Sequence, residues 1–186
     1  MKKVVIVNGK PRVGKDTSVQ FMRGILKEYG IRTEEFSAIT PILVMLERAG
    51  IDISSKTPED RALLAEMKAA LEKHSKYPTK ECLSACFRLF EITGSFDAVM
   101  FIYMREPECI AYMRQWIEAA GHEAITIVVE SNRAENVTSN SADTGVYGMD
   151  YDAKLSNHST LPILNANCRC LLHSLGLIPN EEAALP

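Results

Sequence analysis

Val4-Val5-Ile6-Val7-Asn8-Gly9-Lys10-Pro11-Arg12-Val13-Gly14-Lys15-Asp16-Thr17 is the stretch whose reading decides the fold. Its first four residues are all β-branched, as expected of a central strand buried on both faces. A loop bounded by Gly9 and Gly14 follows. Val19, Met22, Ile25, Leu26 and Tyr29 then recur at helical spacing until Gly30 supplies the stop. Strand, glycine-bounded loop and helix, with the spacing GxxxxGK, make a phosphate-binding P-loop. The glycines let backbone N–H groups from Gly9 to Thr17 curl around a phosphate, and the positive end of the helix favours the same anion. Lys15 then reaches the β- and γ-phosphates of a nucleoside triphosphate, with Lys10, Arg12 and Val13 inside the loop. The usual motif has Ser or Thr after the lysine to place a hydroxyl on magnesium. Here Asp16 stands there, followed by Thr17. A carboxylate also suits that ion, directly or through water, so Asp16 and Thr17 are the candidate metal residues. The alternative is a glycine-rich turn that merely joins strand to helix.

Working outward, the chain alternates strand and helix. Arg32 to Ser37 reads as a second, shorter strand anchored by Phe36. Thr40-Pro41 predicts a cap and a proline opening a helix that runs to Gly50. Thr57-Pro58-Glu59-Asp60 opens another, with Leu63, Leu64, Met67 and Leu71 as its apolar face. A third helix runs from about Thr79 to Thr93. This block of helices exceeds what a simple crossover needs, so residues of about 38–94 are expected to form a substrate-facing lobe. Ala98 to Met104 is the third strand. Arg105-Glu106-Pro107-Glu108 starts a helix ending at Gly121, and Ala124 to Val129 is the fourth strand. From Glu130 to Asp150 the chain turns polar, which predicts a lid-like segment with Arg133 at its root. Tyr151 to Asn157 reads as a fifth strand, and Leu161 to Leu175 as the closing helix. The expected fold is α/β, a five-stranded parallel sheet covered by helices on both faces, in one domain over 1–186.

Composition agrees. The chain has 186 residues, 46 % of them hydrophobic, enough for one substantial core. No apolar run approaches the roughly 18 residues needed to span a bilayer, so a soluble, cytoplasmic protein without membrane contact is expected. A formal charge of −3 gives no general basic footprint for nucleic acid. Five cysteines spread over three regions do not read as a disulfide framework or as a usual zinc spacing. Cys82 and Cys86 fall instead on a core face with Leu89 and Phe90.

Ligands of such sheets collect at the carboxyl ends of the strands. The P-loop, Arg105 and Arg133 all fall there, which suits phosphoryl transfer. Arg105 reads either as a site residue or as a surface cation before a helix, and Arg133 equally as a loop arginine without a role. Arg61 and Lys68 lie on a helix with many charges and read as a solvated face. A GTPase is not supported, since neither NKxD nor DxxG occurs.

The sequence resembles the deoxynucleoside monophosphate kinase-like P-loop proteins of bacteriophages and bacteria. The resemblance is carried by Gly14-Lys15-Asp16-Thr17, Phe36-Ser37 leading to Pro41, Lys56-Thr57 with Asp60-Arg61 and Leu63-Leu64, Arg105-Glu106-Pro107-Glu108, Asn140 to Asp143, and Tyr151-Asp152 with Asn157. It implies transfer of the γ-phosphoryl group of ATP to a nucleoside monophosphate, with magnesium, in a fold whose lobe and lid close over small-molecule nucleotides. By position, Arg105 would hold the acceptor phosphate and Arg133 would be a lid arginine at the transferring group. Many relatives carry an aspartate near the position of Tyr103, and a basic residue shortly after the lobe proline, where Ile42, Leu43 and Val44 stand here. Asp16 is expected to compensate for the first, and Arg48, Arg61 or Lys68 for the second. Two rival readings stand beside this one, a P-loop kinase for another small phosphorylated acceptor and a nucleotide-binding protein without turnover. A homodimer is left open.

Overall fold

The computed structural model describes residues 1–55, 57–132, 146 and 148–179. In chain order these form β1 (Lys2–Asn8), α1 (Lys15–Glu28), β2 (Arg32–Ser37), α2 (Thr40–Arg48), α3 (Pro58–Ser75), α4 (Tyr77–Thr93), β3 (Ala98–Tyr103), α5 (Pro107–Ala119), β4 (Glu123–Glu130), β5 (Ala153–Ser156) and α6 (Leu161–Ser174). The five strands make one parallel sheet in the order β2-β3-β1-β4-β5.

Side chains of a strand alternate between faces, so a run apolar at every position needs cover on both. β1 shows this directly. Val5 and Val7, with Phe101 and Ile127 of the neighbouring strands, pack under α1 and α6 through Val19, Met22, Leu26, Leu164 and Leu172. Val4 and Ile6, with Met100 and Ile102, pack under α4 and α5 through Cys86, Leu89, Phe90, Ile110 and Met113. The central strands meet the expectation of a sheet covered by helices on both faces. The outer ones differ. β2 carries Arg32-Thr33-Glu34-Glu35 and sends only Phe36 against the core, and β5 is four residues long, shorter than its sequence pattern suggests.

α3 departs most from its sequence pattern. Its start is as expected: Asp60 N donates to Thr57 Oγ1 at 3.2 Å and Thr57 N to Asp60 Oδ2 at 2.8 Å, a reciprocal capping box. Its apolar stripe, however, is not a core face. Leu63 is 37 % exposed, and the buried residue of the helix is Lys68. The physical reason is position, because α3 packs chiefly on α4 and α2. One residue joins α3 to α4, Lys76, in the left-handed region at φ 53°, so α4 begins two residues before the expected Thr79. In α2 the cap position belongs to Ile39, which is already helical, and Thr40 is inside the helix. Among the described residues no helix is long and apolar enough to cross a membrane.

β4, α5 and β5 are tied by Asp152. Its carboxylate accepts from Thr126 N at 2.7 Å, Thr126 Oγ1 at 2.8 Å and Arg114 Nη2 at 3.1 Å. Burial pushes this carboxyl upward, but the Thr126 donors and the Arg114 charge outweigh it and hold the group below the usual carboxylate range. A lowered folded value means the stabilisation is complete above the unfolded value of about 3.9 and is lost as pH falls through the folded one. Asp152→Asn is therefore expected to cost about 1 kcal/mol at pH 7, with the deficit shrinking below about pH 3. Urea midpoints at the two pH values check this, and a deficit independent of pH would remove the carboxylate charge from the explanation.

Candidate active site

The loop between β1 and α1 is shaped by three positive φ values, at Gly9 (145°), Arg12 (62°) and Gly14 (89°). Both glycines are also demanded by close approach. A Cβ on Gly9 would lie 2.7 Å from the Val129 carbonyl oxygen, and one on Gly14 only 2.3 Å from Asn157 Nδ2. Val13 buries its side chain in the core, and its carbonyl accepts from Asn157 Nδ2 at 2.8 Å, which pins the loop to the start of the β5–α6 connection. Ser18 donates to the Gly14 carbonyl through both N and Oγ at 2.9 Å, closing the first turn of α1. Lys15 Nζ donates to the carbonyls of Gly9 and Lys10 at 2.8 and 2.7 Å. The ammonium thus lies inside the loop's own curve.

This loop forms one wall of a cleft of about 1810 Å³. Arg12, Lys15 and Asp16 line it from the loop, Arg105 and Glu106 from the end of β3, and Arg61, Lys68 and Glu72 from α3. The sequence-predicted Arg12, Lys15, Asp16 and Arg105 are brought together. Gly9, Lys10, Val13, Gly14 and Thr17 shape the loop without lining the cleft, and Arg48 is exposed away from it. Lys56, Arg133 and Asn140 to Asp143 lie outside the described residues. Cations slightly outnumber carboxylates along the wall although the chain as a whole is acidic, with Arg12, Lys15 and Arg105 at the end where the P-loop opens.

Two features of the site were not fully legible in the sequence. The first is Lys68, read as a solvated cation and otherwise only as one of three candidates, with Arg48 and Arg61, for the basic residue missing from the lobe. It is 9 % exposed and pairs with Glu106 at 2.5 Å, across the wall from α3 to the residue after Arg105. The second stands at the end of β3, where the resemblance leads to the expectation of an acid. Tyr103 donates its hydroxyl to Glu35 Oε2 at 3.2 Å, and Arg23 Nη1 meets the same oxygen at 3.2 Å. Burial first, then the charges of Glu35 and Asp16, push the Tyr103 phenol upward, so it is a neutral donor. The acid at this edge comes from the adjacent strand, two residues before Ser37, the partner of Tyr103.

The thiols of Cys82, Cys86, Cys109 and Cys168 are buried packing groups, and Cys170 is exposed. Cys82 and Cys86 are buried on the α4 face expected from sequence, and burial pushes Cys82, and Cys109 beside it, up to about 12. Such thiols stay protonated at neutral pH.

No family model matches the sequence, and no curated protein does. Solved structures do match. APS kinase of Mycobacterium tuberculosis, in complex with AMPPNP and APS, superposes with a TM-score of 0.56 at 14 % identity, covering 94 % of this chain and 98 % of that one. A mutant of the same enzyme gives 0.53 at 14 % identity over 92 % and 96 %. A protein designated APE1195 gives 0.54 at 14 % identity over 96 % and 97 %. The chain has the P-loop NTPase fold. At this identity the P-loop likeness is one of architecture, and the chemistry must be argued from the cleft.

Proposed function

We propose that this chain is a P-loop kinase that passes the γ-phosphoryl group of ATP to a nucleoside monophosphate, a deoxynucleotide in the first instance. The observation that carries this reading is the single cleft on which Lys15 and Asp16 face Arg105 and the buried Lys68. Phosphoryl transfer asks little covalent chemistry of a protein. It asks that two anionic substrates be held in line while developing charge is neutralised. Lys15 holds the β- and γ-phosphates of the donor. Arg105 holds the acceptor phosphate, with Lys68 behind it. An acceptor oxygen forms the new bond to phosphorus as the bond to the β–γ bridging oxygen breaks. That acceptor oxygen is already ionised, so no general base is needed, in keeping with the neutral Tyr103. Residues of about 38–94 form the acceptor lobe in this reading. The lid expected over about 130–150, and Arg133 with it, lies largely outside the described residues.

Asp16 fits magnesium, being an exposed carboxylate on the cleft wall beside Lys15, a hard oxygen ligand of the preferred kind. Bound there, the ion would screen the donor phosphates, with Thr17 as the neighbouring hydroxyl. Asp16→Asn is expected to raise the magnesium needed for half-maximal turnover by about tenfold. A magnesium titration that overlays the wild type would take Asp16 out of this role.

The test of the whole reading is ADP release from ATP and magnesium against a panel of ribo- and deoxyribonucleoside monophosphates. Turnover with at least one acceptor, lost in Lys15→Ala, is the expected result. Silence across the panel despite ATP binding would overturn it. The specific alternative is a kinase for another small phosphorylated acceptor, favoured by the likeness to an APS kinase, and APS belongs on the same panel.

A further inference from the structure

β1 and β3 pair in parallel up to Val7 opposite Tyr103, and Met104 N gives the last bond of that ladder to the Val7 carbonyl at 3.3 Å. One residue further, the two chains carry different halves of the cleft: β1 opens into the P-loop and β3 into Arg105. What joins them there is a side chain. Asn8 is 1 % exposed. Its Oδ1 accepts from Gly9 N at 2.7 Å, and its Nδ2 donates to the Arg105 carbonyl at 3.2 Å and to the Tyr151 hydroxyl at 2.7 Å. That hydroxyl donates in turn to the Val146 carbonyl at 2.6 Å. The orientation of the amide is fixed by its partners, because a backbone N–H must meet the oxygen and a carbonyl must meet the nitrogen.

We infer that Asn8 is a positioning residue that sets the spacing between the donor-phosphate loop and Arg105, with Tyr151 extending the same tie to Val146. Its placement in the transfer reaction rests on the kinase reading above. A single planar amide holds the first N–H of the P-loop and the backbone of the acceptor arginine, so the two cannot drift independently. In-line transfer needs that constraint, since a displacement of about 1 Å between reacting groups costs on the order of 10²-fold in rate. Each substrate alone can still bind to a loosened half-site. The signature of this role is therefore a loss in kcat that affinity does not share.

The experiment uses Asn8→Ala and the milder Tyr151→Phe, with AMPPNP as the binding probe. Expected are a fall in kcat of about 10²-fold for Asn8→Ala and about tenfold for Tyr151→Phe, with AMPPNP affinity within about threefold of wild type in both. A second readout needs no acceptor. Adding AMPPNP to the wild type should shift the backbone amide resonances of Arg105 and Glu106, and in Asn8→Ala that response should stop within the P-loop. Parallel losses of affinity and kcat, or an unchanged Arg105 response in Asn8→Ala, would overturn the inference. If Asn8→Ala does not fold, Tyr151→Phe decides through the same two readouts. A wild type that binds AMPPNP but transfers to no acceptor would sink the kinase reading, and the amide response would still decide the role of Asn8.

Discussion

Acceptor-dependent ADP release falls by about 10³-fold when Lys15 is replaced by Ala, with only a modest fall in melting temperature. The size follows from what the ammonium does. Removing one donor aimed at developing charge in a water-poor site typically costs about 10²- to 10³-fold in kcat, and a full charge stands at the upper end of that range. The structural contribution is smaller. Lys15 ties the carbonyls of the buried Gly9 and the half-buried Lys10, and losing these two bonds costs on the order of 1 kcal/mol each. Steady-state kinetics beside a thermal melt separate the two. A loss below tenfold would place the lysine away from the transferring group.

Gly14→Ala should be among the most damaging small substitutions at the described residues, lowering the melting temperature by about 10 °C and weakening ATP binding at least about a hundredfold. The added Cβ would sit 2.3 Å from Asn157 Nδ2, on a residue held at φ 89°. Left-handed backbone costs a non-glycine residue about 1–2 kcal/mol, and relieving the clash sacrifices the bond from Asn157 to the Val13 carbonyl, about 1 kcal/mol more. A loss of about 3 kcal/mol corresponds to a shift of that size in a chain of this length. The loop would open where the phosphates are held. Adding Asn157→Ala to Gly14→Ala removes the clash but gives up the same bond to the Val13 carbonyl, so the double variant should melt close to the single one, and Asn157→Ala alone should cost about 1 kcal/mol. Calorimetry on the single and double variants, with ATP titrations, decides it. If the single variant binds ATP within threefold of wild type, the close packing is not what shapes the site.

The P-loop could be read from sequence because everything that defines it is local: a β-branched run, two glycines at fixed spacing and a helical repeat. The helix starts at Pro58 and Pro107 were legible for the same reason. What escaped is set by distant partners. Lys68 looks like any lysine of a charged helix, and only Glu106, 38 residues away, makes it a buried cleft group. Glu35 reads as one of two acids on a polar strand, and its role appears only when the strand order places β2 beside β3. Asn8 carried a signal, a polar residue ending a fully apolar strand, but its three partners come from Gly9, Arg105 and Tyr151. Arg133 and Asn140 to Asp143 fall in a stretch outside the described residues.

The two outer strands have a consequence for how this molecule behaves in crowded solution. A parallel sheet ends in rows of open amide and carbonyl groups, which invite a neighbour's strand to add on. Here one rim is studded with Arg32, Glu34 and Glu35 and the other is only four residues long, so neither offers a flat, greasy template. Self-association through a continuous sheet is thereby disfavoured, and the long hydrophobic strands β1, β3 and β4 are kept from contact with other copies by the very elements that look weakest in the sequence.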